Sequence, residues 1–156
     1  MSKFKWLTAI VVFLCFAACN GGTGRYSSFA DLPAEGWAYV DSITVRPCGV
    51  TAQANTMTVA VRHNDGYPYR NIWIEVCYPD CKGTVCRDTL NIELADTYGR
   101  WLGTGFGDTR QIGRQLPGAV NIADSSYVRI RHIMRLDTLH GIEQIGVTIE
   151  PLKDDQ

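Results

Sequence analysis

From Trp37 onward apolar side chains tend to alternate with polar ones, the period of two that turns one strand face to a core and the other to water. Met57, Val59 and Val61 share one face, and Ile72, Ile74, Val76 and Tyr78 share another, followed by Leu90, Ile92 and Leu94. Val128, Ile130, His132 and Met134 alternate with Arg129, Arg131 and Arg135, and Ile145, Val147 and Ile149 make a last strand. Turn chemistry separates these runs at Asn64-Asp65-Gly66, Tyr67-Pro68, Pro79-Asp80, Lys82-Gly83 and Pro117-Gly118. No comparable stretch has helical periodicity, and the mature chain holds no internal repeat. The spacing predicts an all-β domain of about seven or eight short strands in two antiparallel sheets, an immunoglobulin-like or jelly-roll sandwich.

The first residues follow a different rule. Lys3 and Lys5 precede an apolar run from Trp6 to Phe16, which leads to Ala17, Ala18 and Cys19. About a dozen apolar residues fall short of the roughly 20 that span a bilayer core, so the run reads as a signal peptide over residues 1–18. Phe16-Ala17-Ala18-Cys19 has the form of a bacterial lipobox, in which Cys19 becomes the lipidated first residue and a membrane anchor. Residues 19–28, rich in Gly, Ser and Thr, are expected to form a lipidated flexible tether; 29–152 form the sandwich, and 153–156 a polar tail.

Removing 18 of 156 residues leaves 138, enough for one domain with a real core. Loss of Lys3 and Lys5 leaves 13 basic against 16 acidic side chains, a net of −3 that argues against nucleic-acid binding. Export also sets the expected cysteine chemistry. Cys15 leaves with the signal peptide and Cys19 is the anchor, so Cys48, Cys77, Cys81 and Cys86 are candidate disulfide partners in an oxidising compartment. Four thiols allow three pairings. If Tyr78 and Leu90 point inward, Cys77 and Cys86 lie on opposite sheet faces, and a direct bond between them requires a bulge. A zinc site is the weaker alternative, since no paired histidines accompany the thiols; no metal or cofactor is expected.

Gly99-Arg100-Trp101-Leu102-Gly103-Thr104-Gly105-Phe106-Gly107 has neither the following helix nor the Lys-Ser or Lys-Thr pair of a phosphate loop. Its glycines are expected to permit tight or positive-φ backbone. Arg100, Trp101 and Phe106 are the candidate partner-binding residues, because aromatic and arginine side chains anchor interfaces. Asp96 and Asp108, which flank the loop, are the kind of aspartates that turns commonly carry. His63, at a strand end beside a turn, is expected to be exposed; His132 is expected to be a neutral, hydrogen-bonded core residue, and His140 lies in a loop. No serine or cysteine stands beside a histidine in a nucleophile motif, so no enzyme is expected. Arg129, Arg131 and Arg135 suit a solvated strand face with acidic partners such as Glu150, or contact with anionic headgroups or a partner. Tyr67, Tyr69 and Trp73 are expected to pack against a neighbouring loop.

Three segments carry a family resemblance: Arg62-His-Asn-Asp-Gly-Tyr-Pro-Tyr-Arg-Asn71; Asp88-Thr-Leu90 with Ala95-Asp-Thr-Tyr-Gly-Arg-Trp-Leu-Gly-Thr-Gly-Phe-Gly-Asp108; and His132-Ile-Met-Arg135 with Gly141-Ile-Glu143 and Ile145-Gly-Val147. In this order, over nearly the whole mature domain, the chain resembles the gliding motility lipoprotein GldH family of the Bacteroidetes. The cluster of Cys77, Cys81 and Cys86 departs from that pattern. The resemblance implies a noncatalytic structural or adaptor lipoprotein of the gliding and associated secretion apparatus, with envelope protein partners and no known catalytic residues. The alternative is a carbohydrate-binding lipoprotein on a jelly-roll scaffold. Asn20-Gly-Gly-Thr23 lacks an acidic surface-export run, so a periplasm-facing membrane location is expected, inner or outer membrane being open.

Overall fold

The structure, a computed structural model, describes residues 24–50, 53–122 and 126–152. The signal peptide, Cys19 and the polar tail lie outside the described residues. Eleven strands form among those described: β1 (Tyr26–Asp31), β2 (Trp37–Ala38), β3 (Ile43–Val45), β4 (Asn55–His63), β5 (Asn71–Pro79), β6 (Val85–Glu93), β7 (Thr104–Phe106), β8 (Thr109–Gln115), β9 (Val128–His132), β10 (Thr138–Leu139) and β11 (Ile142–Pro151). Several of them have only two or three residues, too short for alternation to reveal, which is why the count exceeds the expected seven or eight. They make a five-stranded sheet in the order β1-β11-β4-β8-β7, a four-stranded sheet β3-β9-β5-β6 and a ribbon of β10 and β2, every pairing antiparallel.

The alternation read from sequence is the packing. Met57, Val59, Val61, Ile145, Val147 and Ile149 of the larger sheet meet Ile72, Ile74, Val76, Ile92, Val128 and Ile130 of the smaller one in a shared core. Each such side chain contributes roughly 1.5–3 kcal/mol through removal from water. In β11 the register slips between Ile142 and Gln144. A bulge of this kind adds one unpaired residue. Ile142 and Ile145 therefore both point inward although three positions apart, and Glu143 is the residue between.

The domain begins earlier than expected. β1 starts at Tyr26, inside the span assigned to the tether, and pairs residue by residue with β11 from Tyr26 opposite Ile149 to Asp31 opposite Gln144. Tyr26-Ser-Ser-Phe-Ala-Asp31 has little apolar pattern of its own; the unpaired edge of β11 supplies the hydrogen bonds that make it a strand.

The sandwich has two distinct ends. At one, β1 and β4 begin and β11 ends, with Asn55 opposite Pro151. At the other, His63 pairs with Ile142, and the β10–β2 ribbon just before β11 bonds the end of β9, where His132 Nε2 donates to the Trp37 carbonyl at 3.1 Å. The start of β9 at Val128 and the end of β3 at Val45 therefore lie toward the end where β1 enters.

Candidate functional site

The outer face of the five-stranded sheet holds a cleft of about 980 Å³. Register alone assembles its centre. Asp31 lies opposite Gln144, Gln144 opposite Arg62, Arg62 opposite Gln111, and Gln111 opposite Thr104, so one polar row crosses all five strands. Arg62 Nε donates to Gln111 Oε1 at 2.7 Å and Nη1 to Gln144 Oε1, while Gln144 Nε2 donates to Asp31 Oδ1. The guanidinium lies 4.0 Å over the Phe29 ring, a cation–π contact that also shields the ring from water.

The next row toward the β1 entry end is Phe29, Gly146, Ala60 and Gly113, nearly without side chains. Phe29 folds over Gly146 so closely that a Cβ there would stand 2.5 Å from the ring. On the other flank the bulge residue Glu143 accepts from Asn64 Nδ2 at 3.0 Å and from Thr109 Oγ1 at 3.1 Å. The charged groups of this cleft are thus held in place by neutral amides and a hydroxyl, with lone pairs and N–H groups still turned outward. Such a surface has the hydrogen-bonding groups that a site for a polar ligand requires.

The glycine loop forms one lip. Gly103, at φ +83°, lets the chain turn into β7 where a Cβ would sit 2.2 Å from the Gln111 carbonyl oxygen. The β7–β8 hairpin that follows places Phe106 at the rim, 95% exposed. This separates the three candidate residues of the loop. Phe106 lines the cleft; Trp101 and Arg100 do not. Trp101 bridges to Ala95 and packs its ring 4.6 Å from that of His63, partly buried against the core. Arg100 is exposed, its Nε 2.7 Å from Asp96 Oδ2. Asp96 also accepts the backbone N–H groups of Tyr98 and Arg100, bonds that hold its carboxyl below the usual carboxylate range and organise the turn.

His63 requires a correction: it is fully buried. It continues the inward series Met57, Val59, Val61, and the alternation outweighs the adjacent turn. Its Nδ1 lies 3.2 Å from the Asn64 carbonyl, which can only accept, so Nδ1 carries the proton and Nε2 is a bare, unbonded acceptor. Burial pushes its pKa down, and the same holds for His132, whose Nδ1 is bare while Nε2 donates to Trp37. His132 is the neutral core residue that its strand position predicts. Tyr67 is buried, with its hydroxyl donating to the Asn71 carbonyl, whereas Tyr69 and Trp73 are exposed.

Cys48, Cys77, Cys81 and Cys86 stand as separate thiols in this structure, Cys48 and Cys81 exposed. Cys77 lies opposite Arg87 on the outer face, and Cys86 lies opposite Tyr78 on the inner face, in a register without the bulge that bonding would need. Asp80 instead holds the intervening turn by accepting from the Lys82 and Thr84 N–H groups at 2.9 and 2.7 Å. Among the described residues no three His, Cys, Asp or Glu side chains gather to hold a metal.

The arginines of β9 find a partner other than Glu150, which pairs with Arg25. Arg131 Nε and Arg87 Nη1 converge on Glu75 at 2.7 and 3.3 Å, and the bond from Arg131 holds the Glu75 carboxyl below its ordinary range. Arg135 lies beyond β9.

Sequence reasoning missed Arg62, Gln111, Gln144, Asp31 and Glu143. Alternation marks Arg62 as outward, but only strand register places it between two amides.

Residues 25–149 match the model of the family described as GldH lipoprotein. A protein of Christiangramia forsetii named "Gliding motility lipoprotein GldH homolog" is 31% identical over 103 residues, 59% of this chain and 62% of that protein. One of Flavobacterium johnsoniae named "Gliding motility lipoprotein GldH" is 27% identical over 99 residues, with the same 59% and 62% coverage. The chain thus spans about 62% of the length of these curated relatives.

Proposed function

The chain belongs to the GldH lipoprotein family, and from that membership we propose that it is a structural or adaptor lipoprotein of the gliding motility and associated secretion apparatus, held to a periplasm-facing membrane leaflet by acylated Cys19 and docking an envelope protein in the five-strand cleft. The observation that carries the docking role is Phe106. A large apolar side chain 95% exposed at the lip of a polar, preorganised cleft has no fold-stabilising work there, and it has the character of an interface anchor. The bonds within the Asp31 to Gln111 row support the same role, since side chains already fixed lose little freedom on binding. Recognition, not catalysis, is the chemistry this arrangement favours.

The test compares Phe106→Ala with Trp101→Ala in a tagged, full-length chain. Phe106→Ala is expected to keep the melting temperature while losing its crosslinked partner and gliding or secretion; Trp101→Ala is expected to lose function only in step with stability. Loss of the partner by neither variant, or by both in proportion to unfolding, overturns the assignment. Cys19→Ala is expected to remain uncut or become soluble. A second reading, glycan binding, draws on the cleft's amides and carboxylates beside an aromatic lip; retention of the mature domain on a peptidoglycan or polysaccharide matrix, abolished by Phe106→Ala, would favour it.

A further inference from the structure

The opposite face of the sandwich has the reverse chemistry. On the outer surface of the four-stranded sheet, register sets Arg87, Cys77 and Arg129 in one row and Thr89, Glu75 and Arg131 in the next. All of these side chains but Thr89 surround a shallow recess of about 250 Å³ whose edge includes Val40. Three guanidiniums face one carboxylate. Glu75 serves Arg131 and Arg87, while Arg129 makes no ion pair among the described residues and lies 5.6 Å from the Tyr127 ring. The local excess is positive in a chain that carries a net negative charge. Of the two acids of β6, Asp88 lies opposite buried Val76 and accepts from the Tyr78 hydroxyl on the inner side, and Glu93 lies at the far end of the sheet beside Arg70.

Around these arginines the surface is apolar where water would favour polar groups. Val40 is 88% exposed, Val85 57% and Trp73 42%, and Tyr39 stands over Arg131. Trp and Tyr with Arg is the composition of a membrane interface, where amphipathic rings sit at headgroup depth and guanidiniums meet phosphates.

The chain's path favours a lipid surface as the occupant. Gly24, the first described residue, is five residues from Cys19, a reach of at most about 18 Å at roughly 3.6 Å per residue. The chain enters at β1, whose neighbour across the sandwich edge is β3, and β3 pairs with β9 through Thr44 opposite Arg129. An anchor at Cys19 therefore leaves the arginine rows beside the bilayer.

We propose that the outer face of the four-stranded sheet docks flat on an anionic membrane, with Arg87, Arg129 and Arg131 against lipid phosphates and Val40, Trp73 and Val85 in the headgroup layer, turning the Phe106 cleft away from the membrane. The proposal rests on the lipid-anchor reading for its tether, but its test does not need the acyl chains. The mature chain from residue 19, carrying Cys19→Ser, is sedimented with vesicles of phosphatidylcholine alone and of phosphatidylcholine with phosphatidylglycerol in equal parts. Binding is expected only to the anionic vesicles and to fall in high salt. Removing one guanidinium with Arg129→Ala is expected to weaken it about fivefold, and the Arg87→Ala/Arg129→Ala pair about 25-fold, with melting temperatures unchanged. Equal binding to both vesicles, no binding to the anionic ones, or variants that bind as the parent does overturns the proposal. So does a result in which Arg129→Ala spares vesicle binding but removes a crosslinked protein, which would make this face a protein interface. The anchor is judged separately, by the mass of the acylated N-terminus.

Discussion

The two sheets share one core yet differ in how their outer faces treat charge. On the five-stranded sheet Arg62 is enclosed by Gln111, Gln144 and the ring of Phe29, and the adjoining row is nearly bare of side chains. On the four-stranded sheet Arg87 and Arg131 share Glu75, Arg129 makes no ion pair among the described residues, and large apolar groups stand open around them. A charge held by neutral hydrogen bonds is a fixed recognition element that scarcely responds to salt. A charge in excess of its partners gives a long-range attraction that salt screens. The first arrangement suits a specific partner and the second suits an extended anionic surface.

The difference can be broken at the point where packing is tightest. Gly146→Val should drive its side chain into Phe29 and displace the ring from beneath Arg62, costing about 1–3 kcal/mol in denaturant unfolding, as overpacking does. Adding Phe29→Ala should restore part of that loss. A Gly146→Val variant as stable as the parent would show that Phe29 is not held over the strand.

Each sheet also buries one histidine near the same end, and acid should sharpen the comparison. Burial lowers both imidazole pKa values below the ordinary 6.5. The unfolded chain then binds more protons than the folded one below pH 6.5. The histidines' contribution is complete above that pH and shrinks as pH falls toward the folded-state values, by up to about 1.4 kcal/mol per pH unit for each. Urea unfolding at pH 7.5, 6.5 and 5.5 should show the loss mainly in the last step, and His63→Gln or His132→Gln should each flatten it. A stability equal at pH 6.5 and 5.5 in the parent would contradict the burial of both rings in neutral form.

The smallest effect is expected on the arginine face. Arg129→Ala should change stability by less than about 0.5 kcal/mol, because an exposed guanidinium without a carboxylate supports little of the fold. A larger loss would mean that Arg129 is structural and that the two faces are more alike than their charges indicate.

The class of the fold was legible because alternation is a local property. Val59 and Val61, or Ile72, Ile74 and Val76, declare a buried face whatever they pair with. The same rule, followed one step further, points His63 inward, although the turn after it suggested exposure. The anchor motif at Cys19 and the likeness to the family rest on contiguous residues and needed no fold. Tyr26 to Asp31 was not legible, since its strand state comes from the open edge of β11 rather than from its own side chains.

The sequence by itself determined which residues face the core, where the turns fall and which family the chain belongs to, because each is written in neighbouring positions. Only the tertiary structure decided that Arg62 stands between Gln111 and Gln144, that Glu75 and not Glu150 meets Arg131, and that Phe106 rather than Trp101 or Arg100 reaches the cleft. Those facts depend on strand order and register between distant segments, Arg62 and Gln111 being 49 residues apart and Glu75 and Arg131 56. A slip of one residue would turn each such side chain to the other face, and local patterning carries no information about which distant strand will lie alongside.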